Sequence, residues 1–140
     1  MMEEYTISTD KARLDVSLIH QFLSQESYWA PNIPRAIVER SIEGSLCFGV
    51  FLDDQQVGFA RVITDEATFA YLADVFIVPN HRGKGLSKRL MKTILTWPTL
   101  QGLRRWLLAT RDAHTLYEQF GFKSLETPEI FMHMKLIETY

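Results

Sequence analysis

The chain has 140 residues, 46% of them hydrophobic, and a formal net charge of -2. That length suits one ordinary domain with one packed core, and the near-neutral balance shows neither the basic footprint of a nucleic-acid binder nor a polyacidic tail. Cys47 is the only cysteine, which excludes an intrachain disulfide and a thiolate metal cluster.

The opening residues Met1-Met2-Glu3-Glu4-Tyr5 are acidic and polar, unlike a signal peptide, and no apolar run approaches the ~20 residues needed to span a bilayer. The expectation is a soluble, cytoplasmic protein with a single domain over residues 1–140. Tyr5–Ser8 is a first strand. Thr9 or Asp10 caps a helix whose apolar positions Leu14, Leu18, Ile19 and Phe22 recur at helical spacing. Tyr28–Pro34 is a loop, and Pro34 suits the first turn of a second helix carrying Ile37, Val38 and Ile42. Three strands follow, Ser45–Leu52, Val57–Ile63 and Phe69–Val78, and their short connections predict an antiparallel meander.

Val75–Val78 then runs into Pro79-Asn80-His81-Arg82-Gly83-Lys84-Gly85-Leu86-Ser87 and a helix with Leu86, Leu90, Met91, Ile94 and Leu95 on one face. Trp97-Pro98 ends that helix. Arg105–Ala109 is a fifth strand, reached through a helix and so parallel to the fourth. Asp112 caps a short helix, Ala113–Phe120, which stops at Gly121. Phe122–Leu125 and Phe131–Leu136 close the sheet. The result is an α/β fold, one mixed sheet of about seven strands flanked by about four helices.

The strand–loop–helix around Arg82–Ser87 has the parts of a phosphate site. Glycines let backbone N–H groups approach an anion, and a helix start adds partial positive charge. Lys84, Lys88 and Lys92 recur at four-residue spacing, a pattern that serves equally as a solvated face or as an attractor of polyphosphate. The segment lacks the Gly-Lys-Ser/Thr of a Walker loop, and it follows a meander rather than the βαβ unit of a dinucleotide fold.

Arg82-Gly83-Lys84-Gly85-Leu86-Ser87 resembles the Arg/Gln-x-x-Gly-x-Gly/Ala signature of the GNAT family of N-acetyltransferases. Ala113–Phe122, with Tyr117, Gly121 and Phe122, resembles that family's Ala-x-x-x-Tyr-x-x-x-Gly-Phe segment. The two lie at the usual separation, and the element order is the family's. Ser87 stands where the signature has Gly or Ala, and Thr110 stands where many members have Asn.

The resemblance implies acetyl-CoA as donor and no metal. Arg82, Gly83, Lys84, Gly85, Leu86 and Ser87 would hold the pyrophosphate, mostly through backbone amides. Phe76 and Val78 would pair their backbone with the pantetheine arm in a cleft where the fourth and fifth strands splay, and an N–H near Phe76 would steady the oxyanion. Tyr117 would protonate the departing thiolate.

An ammonium acceptor cannot attack a thioester until a base takes its proton. Asp74 is the candidate base, interrupting an apolar strand on the face of Leu72 and Phe76; a structural pair with Arg61 is the competing role. Tyr28, Trp29 and Asn32 are candidate acceptor contacts, with Phe48, Arg61 and Tyr71 on the opposite wall. The four histidines show no metal-ligand spacing. The expected activity is direct acetyl transfer in a ternary complex to a primary amine of a small molecule. A protein amine as acceptor, and a non-catalytic acyl-CoA sensor on the same fold, are the alternatives. A homodimer is compatible with so small an enzyme.

Overall fold

The computed structural model describes residues 4–140. The apolar run before Asp53 forms β2 (Leu46–Leu52), buried along most of its length because helices cover both faces of the sheet. It lies between β1 (Tyr5–Ser8) and β3 (Gln55–Thr64), and β3 pairs in turn with β4 (Phe69–Ile77), all antiparallel. β5 (Arg105–Leu108) joins β4 in parallel, so the sheet order is β1-β2-β3-β4-β5.

Helices α1 (Val16–Gln21) and α2 (Arg35–Glu43) cover one face around Ile19, Leu23, Val38 and Phe76. Helix α3 (Leu86–Leu95) and the short α4 (His114–Glu118) cover the other, around Phe48, Val62, Leu90 and Met91. The expected first helix is broken. Asp10 caps a 3-10 turn at Lys11–Arg13, Asp15 separately caps α1, and a π-helical turn, Phe22–Glu26, extends it. Two competing carboxylate caps five residues apart explain the break.

Two further expectations are corrected. Among the described residues the sheet has five strands, not about seven: Phe122–Leu125 and Phe131–Leu136 are not strands. Alternation makes a strand only when a neighbour takes its backbone hydrogen bonds. Every residue from Lys123 to Tyr140 is exposed. Leu72, Asp74 and Phe76 also do not share a face. The β3–β4 register shifts between Phe59 and Arg61, and Asp74 takes φ 54°. This bulge reverses the alternation, so Leu72 and Ile77 face the α3 core while Phe76 faces the α1–α2 core.

Candidate active site

β4 and β5 pair only from Phe69 opposite Arg105 to Leu72 opposite Leu108. Beyond that, β4 continues along β3 while β5 ends, and a cleft opens between the strands. The N–H of Val78 donates to Val57 O at 2.9 Å, which fixes Val78 and, two residues back, Phe76 as residues whose backbone groups face β3. The amides of Val75 and Ile77 therefore face the cleft.

At one end of the cleft, Pro79–His81 makes a 3-10 turn, and Arg82 Nε donates to Ile77 O at 2.8 Å. Gly83 and Gly85 have φ of 77° and 75°, and a Cβ on either would meet nothing within 4 Å. Their glycine character serves backbone conformation and leaves open space above the loop. Helix α3 begins there, and its first N–H groups have no carbonyl one turn back to bind. A cavity of about 390 Å³ lies over this turn, lined by His81, Arg82, Gly83, Gly85, Ser87 and Lys88 among others. The Leu86 side chain is buried in the core, so only its backbone can serve a ligand. The Lys84 ammonium lies 5.8 Å from the Tyr5 ring centroid, and the Tyr5 hydroxyl shares a 2.8 Å hydrogen bond with His81 Nδ1. Open space above first-turn N–H groups, with Lys88 on the lining, is an arrangement whose chemistry suits an anion.

The other end opens into a cavity of about 620 Å³ that holds Tyr28, Trp29, Tyr71, Asp74, Arg111 and Tyr117 among its walls. Asp74 is fully engaged on one side. Arg61 Nε donates to its Oδ2 at 2.9 Å, and Trp29 Nε1 donates to its Oδ1 at 2.9 Å. Arg61 also donates to the Ser45 hydroxyl at 3.1 Å. The Arg61 and Asp74 side chains are 16% and 11% exposed, so the pair is largely removed from water. Of the four lone-pair sites of the carboxylate, two remain for a ligand.

Tyr117 reaches the same cavity from α4. Its ring is buried against Phe122, and its hydroxyl makes no hydrogen bond among the described residues. Burial, followed by the neighbouring Tyr28 and Asp112, pushes its phenol above the ordinary value of 10.0. Thr110 Oγ1 accepts from the Ala113 N–H at 3.0 Å and so steadies the start of α4. Tyr28 crosses the cleft to Arg111, whose backbone N–H donates to its hydroxyl at 2.8 Å.

The model of the acetyltransferase (GNAT) family matches residues 16–122. This chain belongs to the GNAT family. As a member it is an N-acetyltransferase, and its fold is the GNAT α/β fold. A Gibberella zeae protein that carries an acetyltransferase name is 32% identical over 86% of this chain and 80% of its own length. A crystal structure of a GNAT-family protein from Xanthomonas campestris pv. campestris is 53% identical, with a TM-score of 0.94 over 97% of this chain and 96% of that one. A Clostridium acetobutylicum acetyltransferase solved with acetyl-CoA shares the fold at 14% identity, with a TM-score of 0.70 over 99% of both chains.

Within this GNAT chain the structure gathers Tyr28, Trp29, Tyr71, Asp74 and Tyr117 around one cavity. It does not bring Asn32 there. Asn32 is an exposed turn residue with φ 64°, and its N–H donates to Ser24 O. Phe48 is fully buried, edge-on to Trp97 at 5.2 Å, and lines no wall. The backbone groups of Phe76 and Val78, expected to meet the cofactor arm, face β3 instead, and those of Val75 and Ile77 face the cleft. Arg111 was not legible as a site residue; only its place before the Tyr117 helix hinted at it. Cys47 is buried, and burial raises its thiol to about 11, which leaves it unreactive. Among the described residues no group of three or more His, Cys, Asp or Glu is placed to hold a metal, and no helix is long and apolar enough to cross a membrane.

Proposed function

We propose that this enzyme transfers the acetyl group of acetyl-CoA directly to a primary amine of a small molecule, with both substrates bound at once. The observation that carries the reading is that Tyr117 and Asp74 face one cavity at the point where β4 and β5 part, with an anion-holding turn at the far end of the same cleft. Acetyl-CoA supplies the activated thioester when bound.

The chain's own residues divide the work. The N–H groups of Gly83, Lys84, Gly85, Leu86 and Ser87, helped by Arg82, cradle the pyrophosphate, for which the open space above the glycines is suited. Ile77 pairs its backbone with the extended arm as an added strand would. The Val75 N–H donates to the carbonyl oxygen as negative charge develops there. Asp74, held in place by Arg61 and Trp29, attracts the acceptor ammonium and receives its proton directly or through water. The amine nitrogen forms its bond to the carbonyl carbon as the carbon–sulfur bond breaks, and Tyr117 gives its proton to the sulfur; the second proton that the nitrogen sheds on becoming an amide returns through water to the Tyr117 phenolate, and Asp74 releases its own to solvent. A neutral phenol near pKa ~10 facing a thiol near ~8.5 makes that transfer uphill unless a hydrogen bond forms first, so Tyr117 acts as hydrogen-bond donor and then as acid.

The acceptor site joins aromatic surface from Tyr28, Trp29 and Tyr71 to the Asp74 carboxylate. That combination suits a cationic amine beside an apolar or aromatic group. The test is thiol release from acetyl-CoA across a panel of small amines and lysine-bearing peptides. Release with small amines supports the reading. Release with peptides alone moves the acceptor to a protein amine, and bound acetyl-CoA with no release on any acceptor makes the chain a sensor.

A further inference from the structure

The charged side chains on the wall of the acceptor cavity are Arg61, Asp74, Arg111 and Asp112, so cations and anions balance there. Arg61 and Asp74 neutralise each other at 2.9 Å. Arg111 stands apart. Among the described residues its guanidinium forms no ion pair and donates no hydrogen bond. It is held in place all the same. It lies over the Tyr28 ring, and the Arg111 backbone N–H donates to the hydroxyl of that same tyrosine.

A planar guanidinium fixed against an aromatic ring, with its N–H fork unused, matches the two oxygens of a carboxylate. The same charge repels a second ammonium, so the wall disfavours a diamine. The anions sit with the chemistry instead. Asp74 keeps lone pairs for an ammonium beyond those given to Arg61 and Trp29. Asp112 is close enough to the Tyr117 phenol for its charge to help raise it. Between cation and anions the wall is aromatic and aliphatic, with Tyr28, Trp29, Tyr71, Ile33 and Ile37. The cavity therefore offers an anion site, an ammonium site and an apolar wall at once.

We propose that the acceptor carries a carboxylate as well as its amine, and that Arg111 is the residue that selects it. The substrate class is an amino acid with an apolar or aromatic body. Its carboxylate pairs with the Arg111 fork, its body lies against the rings, and its ammonium meets Asp74. A ligand whose own charges cancel then meets a wall whose charges cancel. This assignment rests on acetyl transfer at the same cavity and names the acceptor for it. Arg111 also lies between the end of β5 and the start of α4, so the residue that orients the acceptor is carried on the loop that leads to Tyr117.

The test compares kcat/KM for matched acceptors, phenylalanine against phenylalaninamide and β-alanine against β-alaninamide, in the native chain and in Arg111→Gln. The intrinsic reactivity of each amine is the same with both proteins, and loss of the Tyr28 contact acts on both members of a pair. Neither therefore enters the change in the carboxylate-to-amide ratio. That ratio is expected to fall by about ten-fold in Arg111→Gln for at least one pair. Arg111→Lys is expected to restore part of it, because an ammonium keeps the charge and lacks the fork. Acetylation of these amines with a ratio that Arg111→Gln leaves unmoved in both pairs overturns the carboxylate site and leaves the transfer reaction standing. If none of the amines is acetylated, it is the transfer reading that has failed. Titration calorimetry of the same pairs into the acetyl-CoA-loaded chain then decides the site separately. A carboxylate preference that disappears in Arg111→Gln supports it, and the absence of any such preference in the native chain overturns it.

Discussion

The backbone N–H of Arg111 donates to the Tyr28 hydroxyl at 2.8 Å, and the Arg111 guanidinium lies 3.9 Å from the centroid of the Tyr28 ring. These residues are 83 positions apart in sequence, one before α2 and one after β5. Together they clip the two loops that border the cleft, and Trp29, edge-on to Tyr28 at 5.1 Å, carries the contact on to Asp74.

Tyr28→Phe keeps the ring and its cation contact but removes the hydroxyl. A net loss of about 1 kcal/mol for one hydrogen bond predicts a rise of about five-fold in acceptor KM, with kcat nearly unchanged. Arg111→Ala removes the stacked guanidinium and is expected to raise KM by a further few-fold, on the order of 0.5–1 kcal/mol. Steady-state kinetics at saturating acetyl-CoA reads both, and an unchanged KM for both variants would remove the clip from acceptor binding.

Tyr117→Phe is expected to lower kcat by on the order of 100-fold or more while acetyl-CoA affinity holds, since general acid catalysis contributes about that much. Equal turnover would remove the acid role. Burial raises the phenol pKa, so the neutral donor persists to pH values above its unfolded value. The pH consequence has a definite sign: stability owed to the neutral phenol is complete below about pH 10 and is lost as pH rises through the higher folded value. Urea melts from pH 8 upward should show that loss in the native protein and a smaller one in Tyr117→Phe.

Asp74→Asn keeps the side-chain shape and tolerates the positive φ, but leaves Arg61 without its anion. Breaking a largely buried pair predicts a stability loss of about 3 kcal/mol in denaturant melts. Activity is expected to fall further than stability, with the pH dependence assigned to proton removal shifted or erased. An unchanged pH–rate profile in the folded variant would assign the base role to another group.

Gly85→Ala and Gly58→Ala separate two reasons for glycine. At Gly85 the space is open and the φ is 75°, so alanine costs about 1–2 kcal/mol in the turn alone. Isothermal titration should show acetyl-CoA binding weakened by about ten-fold. At Gly58 a Cβ would stand 2.6 Å from Ile77 Cδ1 and 3.1 Å from Phe76 O, beneath the strand that borders the cleft. Overpacking there predicts a loss of about 1–3 kcal/mol in global stability.

Local signals in the sequence determined much of this protein. Apolar patterning placed β1 to β5 to within two residues at every end, and the Arg82–Ser87 turn and the Tyr117 helix showed the family. These features are short-range, set by side-chain period and by glycines that permit positive φ. Tertiary structure decided what depends on a neighbour across the fold. The bulge at Asp74, which reversed the faces of β4 and gave Asp74 to Arg61 and Trp29, arises from the β3–β4 register and has no mark in the β4 sequence alone. The cleft-facing amides passed from Phe76 and Val78 to Val75 and Ile77 for the same reason, because strand pairing chooses which side each backbone group faces. Phe122–Leu125 and Phe131–Leu136 carried a strand pattern and still formed no strand, since alternation states which face can be buried and only a partner can bury it.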